Sequence, residues 1–122
     1  MLRSASACSP TILLVEDDPV IAGLIADILE DADYRIDGPY RTLSDGAAAL
    51  ASHFPAAAIL DIRLADSDAG LLADDLENYG IPFVFCSGLP SDPVANAHPD
   101  APLIPKIAMA RKLVPALKRI IH

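Results

Sequence analysis

Apolar residues alternate along the chain between short continuous runs and stretches with helical spacing, and this alternation occurs five times. Short apolar runs are typical of buried strands, whereas apolar positions three and four residues apart are typical of helices that cover a sheet. Strands that alternate with helices form a parallel sheet with helices on both faces. The pattern therefore predicts an α/β domain of five strand and helix units.

The first strand and helix have the clearest boundaries. Asp18 is expected to be the N-cap of the first helix, with Pro19 in its first turn, because these residue types favour those positions. The predicted buried side of this helix is Ile21, Leu24, Ile25, Ile28 and Leu29. The predicted strands are Ile12 to Glu16, a weak second strand near Tyr34 to Asp37, Ala57 to Leu60, Phe83 to Cys86, and Leu103-Ile104.

The second predicted helix begins at a sequence that resembles a capping box, Thr42 with Asp45 three residues later. The third helix follows a loop through Gly70 and is stopped by Gly80 and Pro82. The predicted buried residues of these two helices are Leu43, Ala47 and Leu50 in the second, and Leu72, Leu76 and Tyr79 in the third.

The segment from Leu89 to Pro105 contains five prolines, so it is expected to be irregular, with at most a short fourth helix. A last helix is predicted from Ile107 to Ile121, which Pro115 is expected to kink or fray. The basic residues from Lys106 onwards alternate with apolar residues on this helix, which is typical of a solvated helix face.

Length and charge narrow the function classes. A chain of 122 residues is expected to form one domain, residues 11–122, after a disordered tail, residues 1–10. The formal net charge of −8 argues against nucleic-acid binding, which requires clustered Lys and Arg. No apolar run approaches the roughly 20 residues of a membrane span, so no membrane insertion is expected.

Cysteine and histidine positions provide no metal or disulfide motif. Cys8 and Cys86 are too few and too far apart for either, and they favour a reducing, cytoplasmic location. His53, His98 and His122 lack metal-ligand spacing, and all three are predicted to be solvated.

Acidic residues directly follow two predicted buried strands: Glu16, Asp17 and Asp18 follow the first, and Asp61 follows the third. In the common five-stranded order 2-1-3-4-5, these two strand ends are neighbours, and ligands bind there. Carboxylates held together repel by several kcal/mol at an effective dielectric constant of about 20, so they require a cation to remain ionised. Mg²⁺, a hard ion that prefers oxygen ligands, is the predicted cofactor.

Two further groups are expected at the same edge of the sheet. Ser87 ends the fourth strand and Lys106 follows the fifth. A carboxylate beside Mg²⁺, a hydroxyl and an ammonium together suit phosphoryl transfer. The predicted roles are Mg²⁺ ligands for Glu16 and Asp17, nucleophile for Asp61, phosphoryl partners for Ser87 and Lys106, and open access at Gly88.

Four motifs in this order resemble the receiver domain of two-component response regulators, from Ile12 to the last helix. They are Leu14-Val15-Glu16-Asp17-Asp18-Pro19, Ile59-Leu60-Asp61-Ile62, Phe85-Cys86-Ser87-Gly88 and Ile104-Pro105-Lys106. The resemblance implies a flavodoxin-like, doubly wound (βα)5 fold. It also implies that Asp61 is the phosphoacceptor and that Glu16 and Asp17 are the acidic pair. Arg63 would be a Mg²⁺ ligand through its backbone carbonyl. Ser87 would be the switch hydroxyl, and Lys106 would be the lysine that receivers carry at this position.

The segment from Pro82 to Gly88 looks further like stand-alone receivers with a Phe-x-Thr-Gly type of fourth strand. The resemblance implies a cytoplasmic phosphorelay protein that is not an enzyme. Such a protein accepts a phosphoryl group from a histidine kinase or a phosphotransfer protein and signals by binding a downstream protein. On fold analogy, the proline-rich segment and the last helix form the candidate docking face.

Three departures from the family pattern favour a second hypothesis, a pseudo-receiver that docks a partner without phosphorylation. Ile107 follows Lys106 where receivers usually have Pro after a cis bond, and a cis bond to a non-proline residue would cost about 2.5 to 4 kcal/mol, so the sequence leaves the approach of Lys106 open. Leu103 replaces the aromatic residue that many receivers have on strand five, and the fourth helix is irregular.

A third hypothesis is an enzyme of the same topology. A Mg²⁺-dependent phosphohydrolase similar to haloacid dehalogenases would require an Asp-x-Asp motif after the first strand, which Glu16-Asp17-Asp18 does not supply. A flavin protein would require a phosphate-binding loop where these acids stand, and they would repel the phosphate. Both enzymes are therefore disfavoured.

Overall fold

A computed structural model describes residues 9–89 and 91–121 and contains a five-stranded parallel sheet in the order β2-β1-β3-β4-β5. The strands are β1 (Thr11–Val15), β2 (Arg35–Tyr40), β3 (Ala57–Leu60), β4 (Phe83–Ser87) and β5 (Leu103–Pro105). The helices are α1 (Pro19–Asp31), α2 (Leu43–Ser52), α3 (Gly70–Asn78), the single-turn α4 (Pro93–Asn96) and α5 (Met109–Ile120). The predicted doubly wound fold and strand order are confirmed, as is a short fourth helix.

The predicted tail falls mostly outside the described residues, as do Cys8 and His122, and the tail remains a prediction. The second strand begins one residue later than expected and continues to Tyr40. Within residues 9–89 and 91–121, no helix is both long and apolar enough to cross a membrane.

Alternating residues of the sheet form two separate hydrophobic clusters, one on each face. Leu13, Leu60 and Phe85 pack on one face with residues of α2 and α3. Ile12, Ile59 and Val84 pack on the other face with residues of α1 and α5. Because both faces of the central strands are covered, the interiors of these strands are continuous apolar runs, and polar side chains appear only at or beyond the strand ends.

The helix starts follow the sequence signals. Asp18 accepts hydrogen bonds from the amides of Val20 and Ile21 at the start of α1, and Thr42 accepts one from the amide of Asp45 at the start of α2. Both predicted N-caps are therefore confirmed.

Two residues predicted to be buried are exposed: Leu24 on α1 is 47% exposed and Tyr79 after α3 is 56% exposed. Leu24 was predicted to belong to the apolar stripe of α1, but Ala22, Ile25 and Leu29 form the fully buried side of that helix. Tyr79 follows the last turn of α3 and stacks on Phe54, at a centroid distance of 4.9 Å. The buried sides of α1 and α3 therefore differ from the predicted ones: Leu24 and Tyr79 are outside them, and Ala22 and Ala73 belong to them.

The last helix begins two residues later than predicted. Lys106–Ala108 forms a 3-10 turn in which Ile107 is fully exposed, and α5 then continues past Pro115 to Ile120. Met109, Leu113 and Leu117 are buried, while Lys118 and Arg119 lie in the last turn, where cations favour the helix dipole. The predicted solvated basic face of this helix is confirmed.

His98, predicted to be solvated, is buried, with only 5% of its side chain exposed. Its Nδ1 lies 2.6 Å from Glu77 Oε2, and its Nε2 lies 2.8 Å from Asp74 Oδ1. Carboxylates only accept hydrogen bonds, so the imidazole lies between two acceptor side chains of α3. His98 therefore fastens the segment after α4 onto α3, whereas His53 is exposed as predicted.

Replacing Gly38 with Ala is expected to destabilise the fold by about 2 kcal/mol, roughly 1 kcal/mol more than Gly80→Ala. Both glycines have a positive φ, +125° at Gly38 and +70° at Gly80, so both variants introduce backbone strain. A Cβ at Gly38 would also lie 2.5 Å from the carbonyl oxygen of Leu14, whereas one at Gly80 meets no atom within 4 Å. Urea unfolding measures the difference, and equal losses would contradict this steric explanation.

Candidate functional site

The register of the sheet brings the two acidic segments together. Val15 of β1 pairs with Leu60 of β3, so the residues that follow, Glu16 and Asp61, leave adjacent strands at the same edge. The amide of Asp61 donates to the carbonyl of Val15 over 2.8 Å. Glu16 and Asp61, which are far apart in the sequence, are therefore neighbours in the structure, as the predicted strand order requires.

Three carboxylates meet at this edge. Glu16, Asp17 and Asp61 each offer an oxygen, and these oxygens lie within 4.8 Å of one another. Glu16 is 1% exposed and Asp61 is 6% exposed, so two of the three acids are buried. Asp18 does not join them, because its side chain caps α1.

Burial and interactions within the cluster raise the pKa values of Asp61 and Asp17 in the absence of a metal ion. Burial, followed by interaction with Glu16, raises the pKa of Asp61 from 3.8 to about 6. The pKa of Asp17 is raised by burial and by its interaction with Asp61. Burial and the charge of Glu16 raise the pKa of the nearby Cys86 thiol on β4 to about 11.

Lys106 reaches the acids despite the residue that follows it. Its Nζ lies 3.2 Å from Glu16 Oε1 and 3.5 Å from Asp61 Oδ1. Burial disfavours the charged lysine, but the charges of Asp61 and Glu16 outweigh this cost and raise the pKa of Lys106. Lys106 thus occupies the site although Ile107, and not Pro, follows it.

Ser87 lies on the strand next to Lys106, since it pairs with Pro105 of β5. Its side chain is buried, and its Oγ accepts a hydrogen bond from the amide of Leu89 over 3.1 Å, which leaves the O–H as a donor for a ligand. A Cβ at Gly88 would meet no atom within 4 Å, so the space beside Ser87 is open.

The loop after β3 carries Arg63, two residues beyond Asp61. Its backbone forms an antiparallel bridge with Asp68, and its guanidinium contacts Asp92 Oδ2 at 2.6 Å. Asp68 accepts from the amide of Gly70, and Asp66 accepts from the amides of Leu43 and Ser44, so both acids are turn or cap residues beside the site.

Sequence reasoning missed two charged residues near the site. Arg41, which follows β2, donates from Nε to the carbonyl oxygen of Asp17 over 3.2 Å. Asp92 caps α4 by accepting from the amide of Val94, and it also binds Arg63. The sequence Asp92-Pro93 is a recognisable helix start, so the cap could have been predicted, but the partner and the burial could not.

No family model matches the chain. Individual known proteins do resemble it in sequence and in structure. The solution structure of SdrG from Sphingomonas melonis Fr1 is 30% identical, with a TM-score of 0.81, over 96% of this chain and 100% of SdrG. A CheY-like response regulator receiver domain protein from Methanospirillum hungatei JF-1 shares the fold at 24% identity, with a TM-score of 0.83, over 93% of this chain and 94% of that one.

A curated relative is the phyllosphere-induced regulator PhyR of Methylorubrum extorquens, 29% identical over 115 residues. The match covers 92% of this chain but only 42% of PhyR, so the chain spans less than half the length of that relative. The chain is a receiver domain of the response regulator family. The resemblance drawn from the four motifs is thereby confirmed.

The acidic cluster of this receiver fits a hard divalent cation. All three side chains offer carboxylate oxygens, the ligands that Mg²⁺ prefers. Glu16 Oε1 is buried and accepts no hydrogen bond among the described residues, although Lys106 Nζ lies 3.2 Å away. A buried carboxylate oxygen with unused acceptor capacity is suited to a metal ion.

The receiver lacks the aromatic residue of strand five, as the sequence indicated. Leu103 occupies the position, is partly buried and packs on the cluster that contains Phe83 and Phe85. The two phenylalanines contact His98 instead, with ring centroids 5.6 and 6.3 Å apart. In this receiver, aromatic packing near α4 therefore depends on β4 rather than on β5.

Proposed function

We propose that this receiver is a response regulator that accepts a phosphoryl group on Asp61 from a histidine kinase or a phosphotransfer protein in the cytoplasm. The observation that carries the proposal is the position of the Asp61 carboxylate, which lies within 4.8 Å of an oxygen of each of the two other acids and 3.5 Å from Lys106 Nζ. The phosphorylated form then signals by binding a downstream protein. The domain is thus a phosphoacceptor and not an enzyme that acts on a separate substrate.

The chain supplies each group that the transfer requires. An oxygen of Asp61 forms a bond to phosphorus while the bond from phosphorus to the donor's histidine nitrogen breaks and leaves its electron pair on that nitrogen. Lys106 exchanges a carboxylate partner for a phosphoryl oxygen, and the Ser87 hydroxyl donates to a second oxygen. Glu16, Asp17, Asp61 and the Arg63 carbonyl would hold Mg²⁺, whose positive charge would offset the charge of the carboxylates and the phosphoryl group.

Incubation with acetyl phosphate and Mg²⁺ is expected to add one phosphoryl group to the protein. The adduct should be absent in Asp61→Asn and after removal of Mg²⁺ with a chelator, because the nucleophile or the metal ion is then missing. Intact mass spectrometry measures the adduct, and amide NMR shifts locate the response at Asp61, Ser87 and Lys106. Asp27→Asn removes an exposed carboxylate of α1 and serves as the charge-matched control.

A wild-type protein that shows neither adduct nor amide shifts would favour the alternative, a pseudo-receiver that docks a partner without phosphorylation. An adduct of equal yield in Asp61→Asn would instead show that another residue accepts the phosphoryl group.

A further inference from the structure

Asp92 connects the start of α4 to the loop that follows Asp61. Its Oδ1 accepts from the amide of Val94 over 2.9 Å, and its Oδ2 lies 2.6 Å from a guanidinium nitrogen of Arg63. The carboxylate is only 2% exposed. One buried side chain thus caps α4 and also forms the ion pair that ties α4 to the loop.

The two partners of this ion pair differ in their freedom to leave it. The guanidinium of Arg63 is 64% exposed, so its charge can be solvated or can move to another anion at little cost. The carboxylate of Asp92 is buried, and a buried carboxylate that loses its cation is strongly destabilised. Loss of the pair would therefore force a rearrangement on the α4 side.

Arg63 is also close in sequence to the phosphoacceptor, since it lies two residues after Asp61. Its backbone is fixed by the bridge to Asp68, while its side chain extends to α4. Other cations near the site are already engaged: Lys106 lies beside Glu16 and Asp61, and Arg41 donates to the Asp17 carbonyl. The guanidinium of Arg63 is paired as well, but its side chain is 64% exposed and can change its partner.

A phosphoryl group on Asp61 would add about 1.5 to 2 negative charges beside this loop. A planar guanidinium binds phosphoryl oxygens through paired hydrogen bonds and is well suited to compete for the new anion. The phosphoryl group thus gives Arg63 a second anionic partner, in competition with Asp92.

We propose that Arg63 is a positioning residue that exchanges Asp92 for the phosphoryl group on Asp61, and so transmits phosphorylation to α4. This inference rests on the proposed phosphorylation of Asp61. In the unmodified protein, Arg63 holds Asp92 and α4 in place. In the modified protein, Asp92 loses its cation and the first turn of α4 shifts. The exchange provides a relay that does not require an aromatic residue at Leu103.

The exchange predicts opposite effects for two variants. Asp92→Asn keeps a good helix cap but releases Arg63, so it should tighten the binding of beryllofluoride with Mg²⁺, a mimic of the phosphoryl group, by about fivefold or more. Arg63→Gln keeps the backbone carbonyl but removes the cation, so it should weaken that binding by a similar factor. A merely structural ion pair would not produce changes of opposite sign.

Titration of the full chain with beryllofluoride and Mg²⁺, followed by amide NMR, tests this inference. In the wild type, the amides of Ser87 and Lys106 and those of Val94 to Ala97 should all shift. In Arg63→Gln, the site amides should shift while the α4 amides do not respond. Arg111→Gln, which changes an exposed arginine of α5, should behave as the wild type.

If the α4 amides of Arg63→Gln shift as they do in the wild type, the exchange is wrong. It is also wrong if both variants change the affinity for beryllofluoride in the same direction. Either result would leave the proposed phosphorylation of Asp61 unaffected. The side-chain amide of Gln can still donate a hydrogen bond to the buried Asp92, so Arg63→Gln is expected to retain the fold better and decides the test if Asp92→Asn folds poorly. Absence of site shifts in the wild type would overturn the proposed function, and the relay with it.

Discussion

Replacing His98 with Ala is expected to lower the free energy of unfolding by about 3 kcal/mol. The variant loses two hydrogen bonds to carboxylates, and such bonds contribute about 1.5 to 3 kcal/mol each when the partners are well desolvated. Asp74 and Glu77 are more than half exposed, so the lower part of that range applies. The variant also loses the edge contact between the ring and Phe83.

Urea unfolding at neutral pH measures this loss, and two other variants separate its causes. His53→Ala removes an exposed histidine and should change stability by less than about 0.5 kcal/mol. His98→Phe keeps a ring against Phe83 but leaves Asp74 and Glu77 without their donor, so it should retain only part of the stability. A loss below about 1 kcal/mol in His98→Ala would show that His98 does not hold α3 to the segment after α4.

Asp61→Asn is expected to make the metal-free protein more stable by about 2 kcal/mol at pH 7 and to have almost no effect near pH 4. The pKa of Asp61 is raised from 3.8 to about 6 in the folded protein, so the folded state binds a proton that the unfolded chain has released. The resulting stabilisation is fully present below pH 3.8 and is lost as the pH rises through about 6. The difference between a pKa of 3.8 in the unfolded chain and about 6 in the folded protein corresponds to roughly 3 kcal/mol, which residual solvation reduces.

The measurement is the difference in unfolding free energy between the wild type and Asp61→Asn across this pH range, in the presence of a chelator. Titrating groups that do not interact with Asp61 contribute equally to both proteins and cancel. The raised pKa of Asp17 depends partly on Asp61, so it acts in the same direction. Addition of Mg²⁺ should stabilise the wild type selectively and reduce the difference, because the ion binds only the native arrangement of acids. A difference that is independent of pH would contradict the raised pKa of Asp61.

The parts of the fold that the sequence specified are those decided by local chemistry. β3 matches its predicted bounds because Ala57 to Leu60 is fully buried on both faces and is followed at once by an acid. The caps at Asp18 and Thr42 need only the residues of their own first turn. Once the order of the strands is known, the meeting of Glu16, Asp17 and Asp61 follows from the carboxyl ends of β1 and β3.

The features that the sequence did not reveal depend on partners distant along the chain. His98 lies among prolines, and its burial arises only where the segment after α4 meets Asp74 and Glu77, which are 24 and 21 residues away. The ion pair between Arg63 and Asp92 spans 29 residues. Leu24 fitted the helical spacing of α1 but lies at the margin of its apolar stripe, where the neighbouring elements no longer cover it. Periodicity indicates the direction of a side chain along its own helix, and it does not indicate where the covering layer ends.

Chemical modification of the buried Cys86 thiol can report how often the sheet opens. The thiol lies in β4, fully buried, one residue before Ser87. With its pKa raised to about 11, this thiol stays protonated and inert at neutral pH while β4 remains packed. In a Cys8→Ser background, the rate at which an alkylating reagent modifies the chain then measures how often the central strands separate, without any attached probe.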